Sequence, residues 1–199
     1  MTSSAHVNAY VLAGGQSSRM GTDKALLTLD GKTFISRIIE AIQSHCKSVT
    51  IISNTTNFNF LGYPVIEDEI KDKGPLAGIY SGLKHSASHY NLFVSCDIPL
   101  LNESLISFLF SKADFKSDAC ILVHNSNVEP LCGLYTKHIA DKIKSLIENN
   151  ELGVINALKY FNVQYIDYSE IIQTTPFVLT NINTKDQLTE IEEKLNGKH

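Results

Sequence analysis

Leu12-Ala13-Gly14-Gly15-Gln16-Ser17-Ser18-Arg19-Met20-Gly21-Thr22-Asp23-Lys24 follows the first apolar run of the chain, Tyr10-Val11-Leu12. Three glycines close behind a strand free the backbone for positive φ and let a ligand come close to the main chain. Successive N–H groups in such a loop form a concave nest for phosphate oxygens. Arg19 adds a planar guanidinium fork and Lys24 a compact ammonium charge, the two common side-chain answers to a phosphate. A plain strand-to-helix turn needs none of this, so the glycines and cations together point to phosphate binding. The spacing is not that of two familiar phosphate loops. After Gly15 the next glycine, Gly21, falls one position late for G-x-x-x-x-G-K-[ST], and Thr22 stands where lysine belongs. G-x-G-x-x-G is absent too, which disfavours a dinucleotide-dependent dehydrogenase.

Outward from this loop, short apolar runs alternate with helical periodicity. Ile35, Ile38, Ile39, Ile42 and Cys46 recur at the 3.6-residue spacing of one helix face. Val49-Thr50-Ile51-Ile52 is β-branched and reads as a strand, and Pro64-Val65-Ile66 as a shorter one. A helix entered through Gly74-Pro75 carries Leu76, Ile79, Tyr80 and Leu83. Leu92-Phe93-Val94 is a buried strand that stops at Cys96-Asp97, and Asn102 suits the N-cap of the helix after it. Cys120–Val123, Leu131–Tyr135 and Val163–Ile166 read as strands. Ile139, Ile143, Leu146 and Ile147 mark a helix. A last helix starts at Thr184, whose hydroxyl is placed to form a capping box with Gln187. Apolar strands alternating with amphipathic helices predict one three-layer αβα Rossmann-like domain over residues 1–199, with a mostly parallel sheet.

The chain has 199 residues, 43% of them apolar, and a formal net charge of -4. That is enough apolar material for a full core, and it offers no basic face to a nucleic acid. Cys46, Cys96, Cys120 and Cys132 make no C-x-x-C pair and lie in or beside apolar runs, as reduced core thiols do. With no secretory signal and no apolar run of membrane-spanning length, a soluble cytoplasmic protein is expected.

In open α/β sheets, ligands bind beyond the carboxyl ends of the strands. Besides the glycine loop, that rule selects Ser53-Asn54, Glu67-Asp68 and Cys96-Asp97. Asp97 ends the strongest central strand. Magnesium prefers one or two carboxylates together with substrate phosphates, so Asp97 is the expected metal ligand; its plainer role is to cap a turn. From the residues alone, Asp68 sits in a solvated acidic run, Glu67-Asp68-Glu69, and Asn54 serves equally as turn residue or base contact. Asn181 and Asn183 flank Ile182. In an extended segment both would face one side, toward a metal or a phosphate, or they serve local turn chemistry before Thr184.

No nucleophile–base pair stands out. His85 and His89 would share a helix face, but no third ligand accompanies them and the H-E-x-x-H glutamate is missing. An acceptor that is itself a phosphate monoester, with a second pKa of about 6, is mostly dianionic near neutral pH and needs no base. A nest, two cations and one metal-binding carboxylate suit nucleotidyl transfer to such an acceptor.

The loop LAGGQSSRMGTDKALL resembles the signature L-A-G-G-x-S-x-R-M-G-x-D-K of nucleotidyltransferases with a glycosyltransferase-A-like, nucleotide-diphospho-sugar transferase fold. Gly74-Pro75-Leu76-Ala77-Gly78, Cys96-Asp97-Ile98-Pro99, Pro130–Tyr135 and Asn181-Ile182-Asn183-Thr184 narrow the resemblance to the molybdenum cofactor guanylyltransferases. The resemblance implies transfer of GMP from GTP to molybdenum–molybdopterin, with Mg2+ as cofactor. By it, Leu12, Ala13, Gly14 and Gly15 hold the nucleotide, Lys24 its phosphates, and Arg19 lies at the reacting phosphates. Asp68 and Asn54 contact GTP. Asp97 holds the magnesium, and Asn181 and Asn183 line the phosphate or pterin side. Transient contact with cofactor-biosynthesis proteins or acceptor molybdoenzymes is implied as well, with no nucleic acid and no membrane. Lys185 replaces a proline common after the N-I-N-T threonine, a helpful but dispensable residue at a first helical position. A cytidylyltransferase on the same fold and a nucleotide-binding module without turnover are the alternatives.

Overall fold

A computed structural model describes residues 6–14, 23–54 and 58–197. The first strand, β1 (Asn8–Leu12), runs through the middle of a seven-stranded sheet. A one-turn helix at Lys24–Leu26 and a small hairpin, β2 (Thr28–Leu29) and β3 (Lys32–Thr33), lead into α1 (Phe34–Ile42). The helical periodicity extends to Cys46, but α1 stops at Ile42 and tightens into a one-turn helix over Gln43–His45. Then come β4 (Ser48–Ile52), β5 (Val65–Ile66), α2 (Pro75–His85), β6 (Tyr90–Ser95) and α3 (Glu103–Lys112). The second half adds β7 (Ala119–His124), β8 (Asn127–Thr136), α4 (Ala140–Glu148), α5 (Val154–Leu158), β9 (Val163–Asp167), α6 (Ser169–Thr174) and α7 (Lys185–Asn196).

The strand order is β5-β4-β1-β6-β8-β7-β9. β8 alone runs against its neighbours β6 and β7, while the other neighbouring pairs are parallel. The expected mostly parallel sheet is therefore present, and the antiparallel insertion follows from local chemistry. Asn125 takes a left-handed φ of 54° between β7 and β8, so the two strands form a hairpin instead of a crossover. From β1 the chain builds outward to β4 and β5, then returns to place β6 on the other flank of β1. The direction of winding thus changes at β1/β6, where the carboxyl ends of neighbouring strands leave a crevice.

Helices cover both faces. Ile35, Ile38, Ile39 and Ile42 of α1, with Leu105, Ile106 and Leu109 of α3, pack on Val11, Ile51, Leu92 and Val94. Leu76, Ile79 and Leu83 of α2, with Ile143, Leu146 and Ile147 of α4, pack on Tyr10, Leu12, Ile52 and Phe93. Alternate residues of β1 thus enter opposite layers, the period-2 consequence of strand geometry. A third cluster, Leu29, Phe34, Ile182 and Ile191, ties the hairpin to the C-terminal helix. Asn102 accepts from Leu105 N at 3.0 Å as the N-cap of α3. Thr184 and Gln187 form a capping box at the start of α7. Both caps match the sequence reading. No described helix is long and apolar enough to cross a membrane.

Candidate active site

A cavity of about 540 Å3 opens at the carboxyl ends of the central strands. Leu12, Ala13 and Gly14 form one side of it, Asn54 and Asp68 another, and the first turn of α2 closes it with Gly74 and Gly78. β1 is continued past its last residue: Ala13 N donates to Ile52 O at 3.0 Å and Cys96 N to Leu12 O at 3.1 Å. These bonds hold the start of the glycine loop and the Cys96-Asp97 turn side by side. Gly15 and Arg19 lie outside the described residues.

Asp68 is not the solvated turn residue that its acidic neighbours suggest. Asn54 Nδ2 donates to Asp68 Oδ2 and Asn54 Oδ1 accepts from Asp68 N, both at 3.1 Å. Asp68 Oδ1 is shielded from solvent and has no hydrogen-bond donor among the described residues. Burial pushes this carboxyl above its ordinary range. The Asn54 bond offsets part of the rise and the charge of Asp72 adds to it.

Asp97, half-buried, lies just past β6. Asn181 stands opposite, its amide 3.1 and 3.2 Å from the two carboxylate oxygens, with the nitrogen turned toward them as donor. The main chain joins the same two segments, since Ile182 N donates to Asp97 O at 2.8 Å. Lys24 Nζ donates to Asn183 Oδ1 at 2.6 Å. The two asparagines therefore do not converge on one point: one reaches the carboxylate and the other the lysine, and buried Ile182 anchors the segment between them. Lys24 and Asp97 nonetheless flank one place. The Cys96 thiol is raised by burial first and then by Asp97 and Asp23, and Lys24 works against that rise.

Gly78 belongs to a sequence motif that gave it no role. A Cβ there would stand 2.8 Å from Leu12 Cδ2 and 3.6 Å from Asp68 Oδ1, so its missing side chain keeps the cavity wall thin. Nothing in the local sequence marks Glu129 as a site residue. β8 slips register against β7, from Gly133 opposite Ile121 to Glu129 opposite Leu122. That bulge, braced by Tyr135 Oη donating to Pro130 O at 2.6 Å, brings Glu129 within the field of Asp97. Burial and that charge raise its carboxyl.

The histidine pair does not form on a helix. α2 ends at His85, whose Nδ1 lies 3.1 Å from Tyr10 Oη, and His89 lies outside the helix, edge-on to Tyr90. No cluster of three or more His, Cys, Asp or Glu residues suited to a metal exists among the described residues.

Residues 9–161 match the profile of the MobA-like NTP transferase domain. The chain belongs to this family. It is a nucleotidyltransferase, and the MobA-like domain supplies the cavity, Lys24, Asn54, Asp68 and Asp97. The profile ends before Asn181, Asn183 and α7, so these lie beyond the matched residues. A Flavobacterium johnsoniae protein named "probable molybdenum cofactor guanylyltransferase" is 37% identical over 185 residues, covering 93% of this chain and 96% of that one. A Bacillus cytotoxicus protein of the same name is 34% identical over 192 residues, 93% of this chain and 96% of its own. Among solved structures, molybdopterin-guanine dinucleotide biosynthesis protein A from Archaeoglobus fulgidus superposes with a TM-score of 0.81 at 24% identity, covering 96% of this chain and 100% of that chain. That likeness establishes the shared fold of the MobA-like transferases.

Proposed function

We propose that this MobA-like transferase moves GMP from GTP to molybdenum–molybdopterin, releasing pyrophosphate and forming the guanine dinucleotide cofactor. The observation that carries this reading is near-full-length similarity to two proteins named for that activity, at 37% and 34% identity. The whole chain, residues 1–199, acts as one domain. Its setting is the cytoplasm, with transient contact to the proteins that supply or receive the cofactor.

In this reading the nucleotide lies along the cavity. Leu12, Ala13 and Gly14, with Gly15, present backbone to it. Asp68, oriented by Asn54, accepts from donor groups on the guanine edge. Guanine offers an N–H and an NH2 side by side, and cytosine offers no such pair, so a carboxylate here favours GTP. Lys24 and Arg19 screen the phosphates. A phosphate oxygen of the acceptor attacks the α-phosphorus of GTP. One P–O bond forms, the bond to the bridging α–β oxygen breaks, and pyrophosphate leaves with that electron pair. The attacking phosphate is already ionised, since its second pKa is about 6, so no protein group must take a proton. The work of the chain is to position and to balance charge.

A magnesium ion fits the residues present. Asp97 offers a carboxylate, and Asn181 offers an amide oxygen once its side chain is rotated. That is a small oxygen donor set of the kind magnesium completes with phosphate and water oxygens. When bound there, the ion would neutralise charge that develops on the departing pyrophosphate. The deciding experiment is to incubate the protein with Mg2+, molybdenum–molybdopterin and either GTP or CTP, and to detect the product by mass. A guanylylated pterin is expected; preferential transfer from CTP would overturn the assignment.

A further inference from the structure

Lys24 and the C-terminal helix are far apart in sequence but share one rigid corner. The one-turn helix that carries Lys24 is fixed by Asp23, which accepts from Ala25 N at 3.1 Å, and by fully buried Ala25. It leads into the β2–β3 hairpin and Phe34, and Leu29 and Phe34 pack with Ile182 and Ile191. Across this small core, Asn183 accepts from Lys24 Nζ at 2.6 Å. Asn183 is held in turn: its N donates to Gln187 Oε1 at 2.7 Å, while Gln187 N donates to Thr184 Oγ1 at 3.2 Å. One restraint on the lysine side chain is therefore a chain of hydrogen bonds that ends in the first turn of α7.

A lysine has a flexible four-carbon stem, and fixing it in one rotamer has an entropic cost that a bound phosphate must otherwise supply. An amide oxygen restrains the ammonium without cancelling its charge, where a carboxylate would do both. The Asn183 acceptor is thus suited to aim the ammonium while adding no negative charge of its own.

We propose that Asn183, braced by Gln187, is a positioning residue that pre-orders Lys24 for the triphosphate, and is not itself a contact to the acceptor substrate. The inference rests on the proposed phosphate role of Lys24. It assigns α7, which lies beyond the matched family domain, a part in nucleotide affinity.

The test measures GTP binding with Mg2+ by calorimetry on the full-length protein, together with KM for both substrates. Asn183→Ala removes a hydrogen bond to a charged group and is expected to weaken GTP about tenfold, with KM for molybdenum–molybdopterin unchanged. Gln187→Ala is expected to weaken GTP in the same sense by a smaller factor. Gln187→Glu, which keeps an acceptor oxygen, restores it. Thr184→Ala removes the helix cap but leaves the Gln187–Asn183 bond in place, so it lowers thermal stability and leaves GTP affinity unchanged. Unaltered GTP affinity in Asn183→Ala, or a rise confined to the acceptor's KM, overturns the proposal. So does a Thr184→Ala loss equal to that of Gln187→Ala, because helix fraying alone would then explain both. Lys24→Ala separates the two layers of argument: if it leaves GTP affinity intact, the phosphate role of Lys24 fails, and the positioning role fails with it.

Discussion

Asn54 and Asp68 are joined twice, each side chain or main chain serving the other: Asn54 Nδ2 donates to the Asp68 carboxylate and Asn54 Oδ1 accepts from Asp68 N, both at 3.1 Å. The pair bridges the ends of β4 and β5 and fixes the Asp68 carboxylate at the cavity wall. Asn54→Ala should therefore weaken GTP by releasing the Asp68 carboxylate from the cavity wall. A rise in the GTP dissociation constant of about fivefold to tenfold is expected from one lost hydrogen bond to a charged partner, read by calorimetry. Asp68→Ala should lose more, because it removes the carboxylate proposed to accept from guanine. An Asn54→Ala loss exceeding that of Asp68→Ala would reverse the assigned order of roles.

The same carboxyl links stability to pH. Its folded-state pKa lies above the unfolded value, chiefly because of burial. The folded protein thus holds that proton more readily than the unfolded chain. Its contribution favours folding at acidic pH and is lost as pH rises through the raised pKa. Asp68→Asn resembles the protonated form at every pH. Near neutral pH its Tm should equal or exceed that of the unaltered protein, while GTP binding collapses. The Tm difference should shrink as pH is lowered through the carboxylate range. A variant less stable at neutral pH, with the gap unchanged in acid, would contradict the burial cost assigned to Asp68.

Asp97→Ala is expected to abolish magnesium-dependent turnover, with far-UV circular dichroism unchanged. The side chain faces Asn181 and supports no strand pairing. The main-chain link, Ile182 N to Asp97 O at 2.8 Å, survives the substitution. Manganese binding followed by electron paramagnetic resonance gives a second readout. Ion affinity equal to that of the unaltered protein would take the metal away from Asp97.

How far the sequence carried depended on the range of the interaction. The β-branched and apolar runs, the Asn102 cap and the Thr184–Gln187 box are local, and they appear where periodicity and side-chain chemistry place them. The glycine loop after β1 points to the end of the sheet where the cavity opens, because the strand-end rule depends only on parallel topology. The acidic neighbours of Asp68 suggest a solvated turn, and the structure shows a half-buried carboxylate instead. Its burial comes from Asn54, fourteen residues earlier, and from α2, and neither contact leaves a mark on Glu67-Asp68-Glu69. Alternation sets Asn181 and Asn183 on either side of Ile182, but it does not foretell that one reaches Asp97 and the other Lys24. Those partners are set by Ile182 entering a core with Leu29 and Phe34, a tertiary event. Glu129 depended on a register slip within β8, which no local pattern announces.

Gly82 tests the packing between α2 and the sheet. A Cβ there would fall 2.5 Å from Phe93 Cε1, 2.8 Å from Phe93 Cζ and 3.0 Å from Tyr10 Cγ. Those rings stack on each other at a centroid distance of 5.2 Å and are almost wholly buried, so neither can yield cheaply. Gly82→Ala raises helix propensity, worth about 1 kcal/mol. Overpacking of about 1–3 kcal/mol should outweigh that gain. Net destabilisation in urea unfolding is expected, and a more stable variant would mean that α2 stands farther from β1 and β6 than described.

The four cysteines are all free thiols, three of them buried and Cys46 half-buried. Burial is the largest cause of the rise at each: Cys46 and Cys132 are pushed up to about 12, Cys120 to about 11, and Cys96 higher than its ordinary range. A thiol is alkylated through its thiolate, and free cysteine ionises near pH 8.5, so raising the pKa removes the reactive form as well as the access. At about pH 8 the folded protein should react slowly with iodoacetamide, and the chain unfolded in guanidinium should take up one label per cysteine at the ordinary rate. Bound GTP should leave the native rates at Cys120 and Cys132 unchanged, because both are held within the core that packs beneath β7 and β8. Rapid native labelling at Cys96, read by peptide mass, would mean that the Cys96-Asp97 turn opens to solvent. An open turn could not hold Asp97 against Asn181, and the metal assignment would fall together with the burial.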